Sequence, residues 1–143
     1  MSLGRVHVLV GLIGDGHGRW LVNQRRAGTH RAGAWEFPGG KRAPGEDRSA
    51  ALERELAEEL GIEVLETEPL LELVHDYPDK HVRLDVWLVR RYRGAVAARE
   101  GQPLRWVTVE ELRGLALLEA DGPIVDALAA LPLGAGGGPG VSV

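Results

Sequence analysis

Hydrophobic and polar positions change period several times along this chain, and each change marks an element. Val6 to Ile13 is a nearly unbroken β-rich run, and Gly14-Asp15-Gly16-His17-Gly18 behind it is a dense turn signal. Trp20 to Val22 resumes the strand pattern, so the two segments predict a hairpin. Arg25 to Ala34 is polar and predicts a loop, and Trp35-Glu36-Phe37 is a short strand stopped by Pro38-Gly39-Gly40. From Asp47, a residue suited to cap a helix, the period becomes helical. Leu52, Leu56 and Leu60 recur every fourth residue as one apolar stripe, and Gly61 can end the helix in a left-handed conformation. Leu70 to His75 and His81 to Tyr92 read as strands around the turn Tyr77-Pro78-Asp79-Lys80. Leu104 to Val107 predicts a further strand, Thr108 caps a short helical turn through Leu112, and Pro123 opens a last helix reaching about Leu131. Strands and helices interleave without a regular βαβ alternation. The expected fold is therefore α+β, with helices packed on a mixed sheet.

Composition narrows the function more than the fold. The chain has 143 residues, the length of one ordinary domain, and 44% hydrophobic with 27% charged residues is a globular mixture. Residues 1–133 predict a single domain, and the Gly/Pro-rich stretch 134–143 predicts a flexible tail. The absence of cysteine excludes a disulfide framework, a thiolate metal site and a cysteine nucleophile. A net charge of −4 argues against binding nucleic-acid polymers or anionic membranes, and no apolar run reaches the roughly 18 residues of a membrane span. The first residues lack the shape of a signal peptide, so a cytoplasmic protein is expected.

The informative segment runs from Gly40 to Ile62. Glu55, Glu58 and Glu59 fall at offsets of zero, three and four on the predicted helix, which places them on one face. Like charges at these spacings repel by a few tenths of a kcal/mol per pair. No lysine is interspersed to relieve them. Spacing alone leaves two readings open, a solvated acidic face or a patch of hard oxygen ligands for Mg²⁺, with Mn²⁺ as a substitute.

The wider pattern decides between them. Gly40, five residues, Glu46, seven residues and then Arg54-Glu55-Leu56-Ala57-Glu58-Glu59-Leu60-Gly61-Ile62 matches the Nudix box at each specified position. The chain resembles a Nudix hydrolase. Trp35 to Lys41, the doublet Arg25-Arg26 with His30 after it, and Glu100-Gly101-Gln102-Pro103 followed by Trp106 are similar to the MutT-like branch, whose members hydrolyse 8-oxo-dGTP. The similarity extends over nearly all of Val6 to Leu131.

The resemblance implies an α/β/α sandwich around a mixed central sheet. It implies a metal-dependent pyrophosphohydrolase in which water attacks the β-phosphorus, releasing a monophosphate and pyrophosphate. It assigns Glu58 and Glu59 as primary metal ligands, Glu55 as a ligand or the base that orients water, Glu100 as a distal ligand or competing base, and the Gly39 carbonyl as a backbone ligand. Arg54 would orient the carboxylates, Glu46 would stabilise the loop–helix–loop, and Gly40 and Gly61 would be structural. For substrate, Arg25, Arg26, His30 and Lys80 are candidate contacts. Phe37 is a candidate base or sugar contact or a core residue, and Trp87 and Trp106 are core or cleft wall.

Charge explains the metal requirement: a triphosphate carries about four negative charges, so carboxylates alone repel it, whereas divalent ions invert the local sign. The main departure from the MutT pattern is Asp121, which stands where those enzymes carry a base-reading Asn. An ionised Asp only accepts hydrogen bonds, whereas a protonated Asp can mimic Asn. Asp121 can equally be the N-cap of the last helix. The expected partner is a small nucleotide, and the expected state is a monomer or weak dimer. The alternatives are a Nudix hydrolase of a pyrimidine triphosphate, ADP-ribose or a dinucleoside polyphosphate, and an inactive nucleotide-sensing domain.

Overall fold

A computed structural model describes residues 4–29 and 31–132. The predicted tail at 134–143 and the candidate contact His30 lie outside the described residues. The elements run β1 (Val6–Leu12), β2 (Arg19–Gln24), β3 (Trp35–Glu36), β4 (Gly39–Lys41), α1 (Arg48–Leu60), β5 (Glu63–Tyr77), β6 (Lys80–Arg93), β7 (Leu104–Thr108), α2 (Val109–Arg113), a 3₁₀ turn (Glu119–Asp121) and α3 (Gly122–Ala129).

Two sheets form. The larger is mixed, in the order β4-β1-β6-β5, with β1 and β6 parallel and the other pairs antiparallel. The smaller is antiparallel, in the order β3-β2-β7. Side chains along β1 alternate faces, as a strand requires. Leu9 and Ile13 meet the Leu52, Leu56 and Leu60 stripe of α1, while Val10 and Leu12 enter a second core with Leu112, Ile124, Val125 and Leu128 of α2 and α3. Helices therefore cover both sides, and the expected α/β/α sandwich is the fold observed.

The start of α1 is anchored beneath the sheet. Arg48 makes paired hydrogen bonds of 2.6 and 2.8 Å to the fully buried Asp85, which also meets His7 and the Trp87 indole N–H. The guanidinium lies 5.1 Å from the centre of the Trp87 ring. Trp87 thus belongs to the core, as does half-buried Trp106, which packs against the α1 side. At the other end, Gly61 takes φ 70° and its N–H caps Ala57 O, the left-handed termination its position predicted. Thr108 and Glu111 form a reciprocal capping box on α2, and Pro123 sits in the first turn of α3.

Three expectations need correction. The run β1 and β2 is not a simple hairpin. The strands part into different sheets, linked at the turn by a Gly14–Trp20 bridge and by bonds from Leu21 N–H to Ile13 O at 2.9 Å and from Asp15 N–H to Arg19 O at 3.0 Å. Gly39 and Gly40, expected with Pro38 to stop a strand, instead begin the strand Gly39–Lys41, which pairs with β1. Its glycines carry no β-propensity, so only the partner strand defines it. Finally, β5 begins at Glu63, seven residues before Leu70, and absorbs Pro69 through register shifts at 64–67 and 69–71. An edge strand tolerates proline at such irregularities because one side of its backbone has no ladder partner.

Candidate active site

The site forms where the end of α1, the β3–β4 corner and the loop before β7 meet. The box places Arg54 at its centre. Its guanidinium clamps Glu46 with bonds of 2.7 and 3.0 Å, donates to Glu55 Oε1 at 2.9 Å and reaches the Lys41 carbonyl at 3.1 Å. Glu58, one helical turn on, lies 3.4 Å from the same group and is exposed. Arg54 therefore ties the loop, strand β4 and helix α1 together. Its hydrogen bonds hold the half-buried Glu46 carboxyl down at about 2. Gly40 gives Glu55 its room, because a Cβ there would fall 2.2 Å from a carboxylate oxygen.

Glu59, beside Glu55, is half-buried and accepts a long 3.4 Å bond from the Gly39 N–H. Burial pushes its carboxyl up to about 8, reinforced by the charges of Glu55 and Glu100. Burial also raises Glu55, against the opposing pull of Arg54. Glu59 and Glu100 line a small cavity of about 120 Å³ with Asn23, Gln102, Arg25 and Arg26. Among the described residues, no three acidic or histidine side chains are gathered into a ready-made coordination cluster. The donor set nevertheless suits a hard cation: all side-chain donors are carboxylate oxygens, and a divalent ion would favour the ionised form of Glu59 that burial disfavours.

A second, larger cleft of about 280 Å³ adjoins the first, and Arg25 and Glu36 line both. Arg25 pairs with Glu36 at 3.0 and 3.2 Å, so this ion pair stands at the junction. Burial raises the Glu36 carboxyl in spite of Arg25. Beyond the junction the walls are Phe37, Tyr77, Lys80 and Asp121. Phe37 is buried in the core and also lines the cleft. Burial lowers the Lys80 ammonium, helped by Lys41 and Arg25 nearby.

Asp121 is only 4% exposed, and its Oδ2 has no hydrogen-bond partner. Burial pushes its carboxyl up to about 8, with the Glu36 charge adding to the effect and the Phe37 N–H opposing it. It stands at the N-cap position of α3, as its place in the sequence suggested, but its side chain makes no capping bond there. Asp121 is also one of the residues lining the larger cleft, and a buried acid with one unpaired oxygen beside a cleft is a candidate ligand contact.

Arg26 does not face the larger cleft. Its guanidinium donates to the Glu100 carbonyl at 2.8 Å. Sequence reasoning did not single out Glu36, Asn23, Tyr77 or Gln102 as site residues. Asn23 carried a signal, a polar residue closing the apolar run Trp20-Leu21-Val22, and so did Glu36, an acid between two aromatics on a strand. Tyr77 looked like a turn residue, yet it is buried and its hydroxyl accepts from Ala120 N–H at 3.0 Å, fixing the turn that carries Asp121.

The sequence profile of the NUDIX domain family matches residues 9–127. An 8-oxo-dGTP diphosphatase of Proteus vulgaris is 38% identical over 101 residues, spanning 71% of this chain and 90% of its own length. A CTP pyrophosphohydrolase of Escherichia coli is 38% identical over 123 residues, spanning 86% and 91%. Among solved structures, a MutT chain from work on the Aliivibrio salmonicida and Vibrio cholerae proteins superposes with a TM-score of 0.77 at 34% identity, covering 90% of this chain and all of that one.

Proposed function

The chain belongs to the NUDIX domain family, and from that membership we propose that it is a MutT-like, metal-dependent nucleoside triphosphate pyrophosphohydrolase acting on 8-oxo-dGTP. One observation carries the reading: the carboxylate cavity and the base-sized cleft are neighbours, joined through Arg25 and Glu36. A nucleotide laid across that junction would have its phosphates among Glu59, Glu100 and the cations and its base against Asp121.

Glu55, Glu58, Glu59, Glu100 and the Gly39 carbonyl would hold Mg²⁺, or Mn²⁺ in its place. The ion, when bound, neutralises phosphoryl oxygens and acidifies water. The chain's own groups do the rest. Arg54 aims Glu55 and Glu58, Arg25 and Arg26 supply positive charge towards the phosphates, and Lys80 lies in the cleft that would take the nucleoside. Glu55 or Glu100 would take a proton from the attacking water. With its carboxyl held neutral by burial, Asp121 would offer Oδ2–H to a base acceptor such as O6 while its other oxygen accepts, the pair of roles an Asn amide supplies. The setting would be the cytoplasmic nucleotide pool, where hydrolysing an oxidised precursor keeps it out of DNA.

A second substrate is favoured by a specific feature. Glu36 and Asp121 are two carboxyl groups lining one cleft, and carboxylates accept readily from the exocyclic amino group of cytosine. The CTP pyrophosphohydrolase relative points the same way. Pyrophosphate release from 8-oxo-dGTP, dGTP and CTP, each with Mg²⁺ and with EDTA, tests both readings. The leading one expects the highest kcat/KM for 8-oxo-dGTP and none with EDTA. Preference for CTP would transfer the function to the second, and turnover in EDTA would overturn the metal requirement.

A further inference from the structure

We propose that Gln102 is a positioning residue that sets Glu100 against Glu59. The proposal rests on the metal-dependent reading above. Gln102 is one of four buried polar or charged residues among those described and is only 6% exposed. Its amide spans two backbone groups. Nε2 donates to the Glu59 carbonyl at 3.1 Å, and Oε1 accepts from the Glu100 N–H at 3.0 Å. Those two residues are the ones whose carboxylates share the small cavity, and Gln102 lines that cavity itself.

The geometry answers a specific problem. Glu59 sits in the last turn of a rigid helix, whereas Glu100 sits in a loop 41 residues later. Two carboxylates can serve one cation only if their backbones are held in register to within about 0.5 Å. The loop docks on the carbonyls that the helix end leaves unpaired. Ala97 N–H bonds to Leu60 O and Arg99 N–H to Glu59 O, each at 3.0 Å. Those bonds fix residues before Glu100, and Gln102 fixes Glu100 itself. Arg26 completes the hold from the opposite side through the Glu100 carbonyl. The task needs a side chain with one donor and one acceptor, long enough to bridge two peptides, and among the twenty only Gln and the shorter Asn carry such an amide. Gln102→Met keeps length and shape and removes both bonds. Gln102→Asn keeps the chemistry and falls one methylene short.

The test measures Mn²⁺ binding by calorimetry on the nucleotide-free protein, amide hydrogen exchange at Glu100, and steady-state kinetics against Mg²⁺ and nucleotide. For Gln102→Met we expect Mn²⁺ affinity to fall about tenfold and Glu100 N–H exchange to rise at least tenfold. The Mg²⁺ concentration for half-maximal rate should rise in step. The nucleotide KM at saturating Mg²⁺ should stay within twofold, which separates positioning from general damage. Gln102→Asn should show the same pattern, smaller, and Arg26→Met, an exposed change that leaves the core alone, should weaken Mn²⁺ in the same direction should the Gln102 variants fail to fold. Wild-type Mn²⁺ affinity in folded Gln102→Met overturns the proposal while leaving the metal-dependent reading intact. A wild-type protein that neither takes up Mn²⁺ nor responds to EDTA overturns both.

Discussion

Gly40 and Glu55 occupy each other's space: a methyl group on the Gly40 α-carbon would fall 2.2 Å from Glu55 Oε2. The obstructing atoms are the far end of a flexible side chain, so Gly40→Ala should fold and push the carboxylate aside. We expect a loss of less than about 1 kcal/mol in stability and a fall in kcat on the order of 10-fold to 10²-fold, as for a displaced catalytic group. Gly39→Ala is the contrast. Its Cβ would lie 1.9 Å from the Leu9 carbonyl oxygen, a backbone atom of the central strand that cannot swing away. That variant should be strongly destabilised or insoluble. Thermal unfolding and kcat on the two variants check the pair, and equal behaviour would contradict this account of the glycines.

Glu59→Gln should separate stability from activity. In the metal-free protein a buried carboxyl beside Glu55 and Glu100 is replaced by a neutral amide, so the melting temperature at pH 8 should rise or hold. The stabilisation that wild type gains on adding Mg²⁺ should disappear, and kcat should fall on the order of 10²-fold or more. An undiminished Mg²⁺ shift in the variant would remove Glu59 from the ligand set.

Asp121 makes stability depend on pH in a defined direction. An Asp in the unfolded chain titrates near about 4, and the folded one at about 8. Between those values the folded protein keeps a proton that the unfolded chain has released, so this group's contribution declines as pH rises and is fully lost above about 8. Asp121→Asn has no such slope. The stability of the variant relative to wild type should therefore climb by a few kcal/mol from pH 4 to pH 8.5. Parallel curves in denaturant titrations across that range would show that Asp121 is not held neutral.

The same residue should govern base choice. Asp121→Asn should retain or improve the kcat/KM ratio of 8-oxo-dGTP to dGTP, and Asp121→Ala should lose roughly 1–3 kcal/mol of that discrimination with its hydrogen-bond partner. An unchanged ratio in the Ala variant would take Asp121 out of base recognition.

Arg54→Lys tests the hub. A lysine is a point charge that cannot hold Glu46 bidentately and reach Glu55 and the Lys41 carbonyl at once. We expect kcat to fall about tenfold, with the Glu46 carboxyl released from its depressed value towards about 4.3, visible by NMR titration. A Glu46 that still titrates near 2 would mean the contact is not Arg54's.

The sequence by itself determined α1, because a leucine every fourth residue and a terminal glycine are local signals that helix geometry enforces. It determined the box, because spacing along one helix fixes which side chains share a face. It also marked the Thr108 cap of α2 and the proline that opens α3, whose partners lie within one turn. What tertiary structure decided was everything whose partner is distant in the chain. Strand β4 exists only because β1 pairs with it, and β1 parts from β2 because two sheets, not one hairpin, bury their apolar faces. The same limit hid the roles of Glu36, Gln102 and Tyr77, whose meaning lies in contacts to Arg25, to Glu59 and Glu100, and to Ala120. Asp121 shows the boundary within one residue. Its position before a proline-led helix left cap and base reader equally open; the structure adds that it is buried at the N-cap with one oxygen unpaired and no capping bond, because desolvation is a property of the packed chain and not of any segment of it.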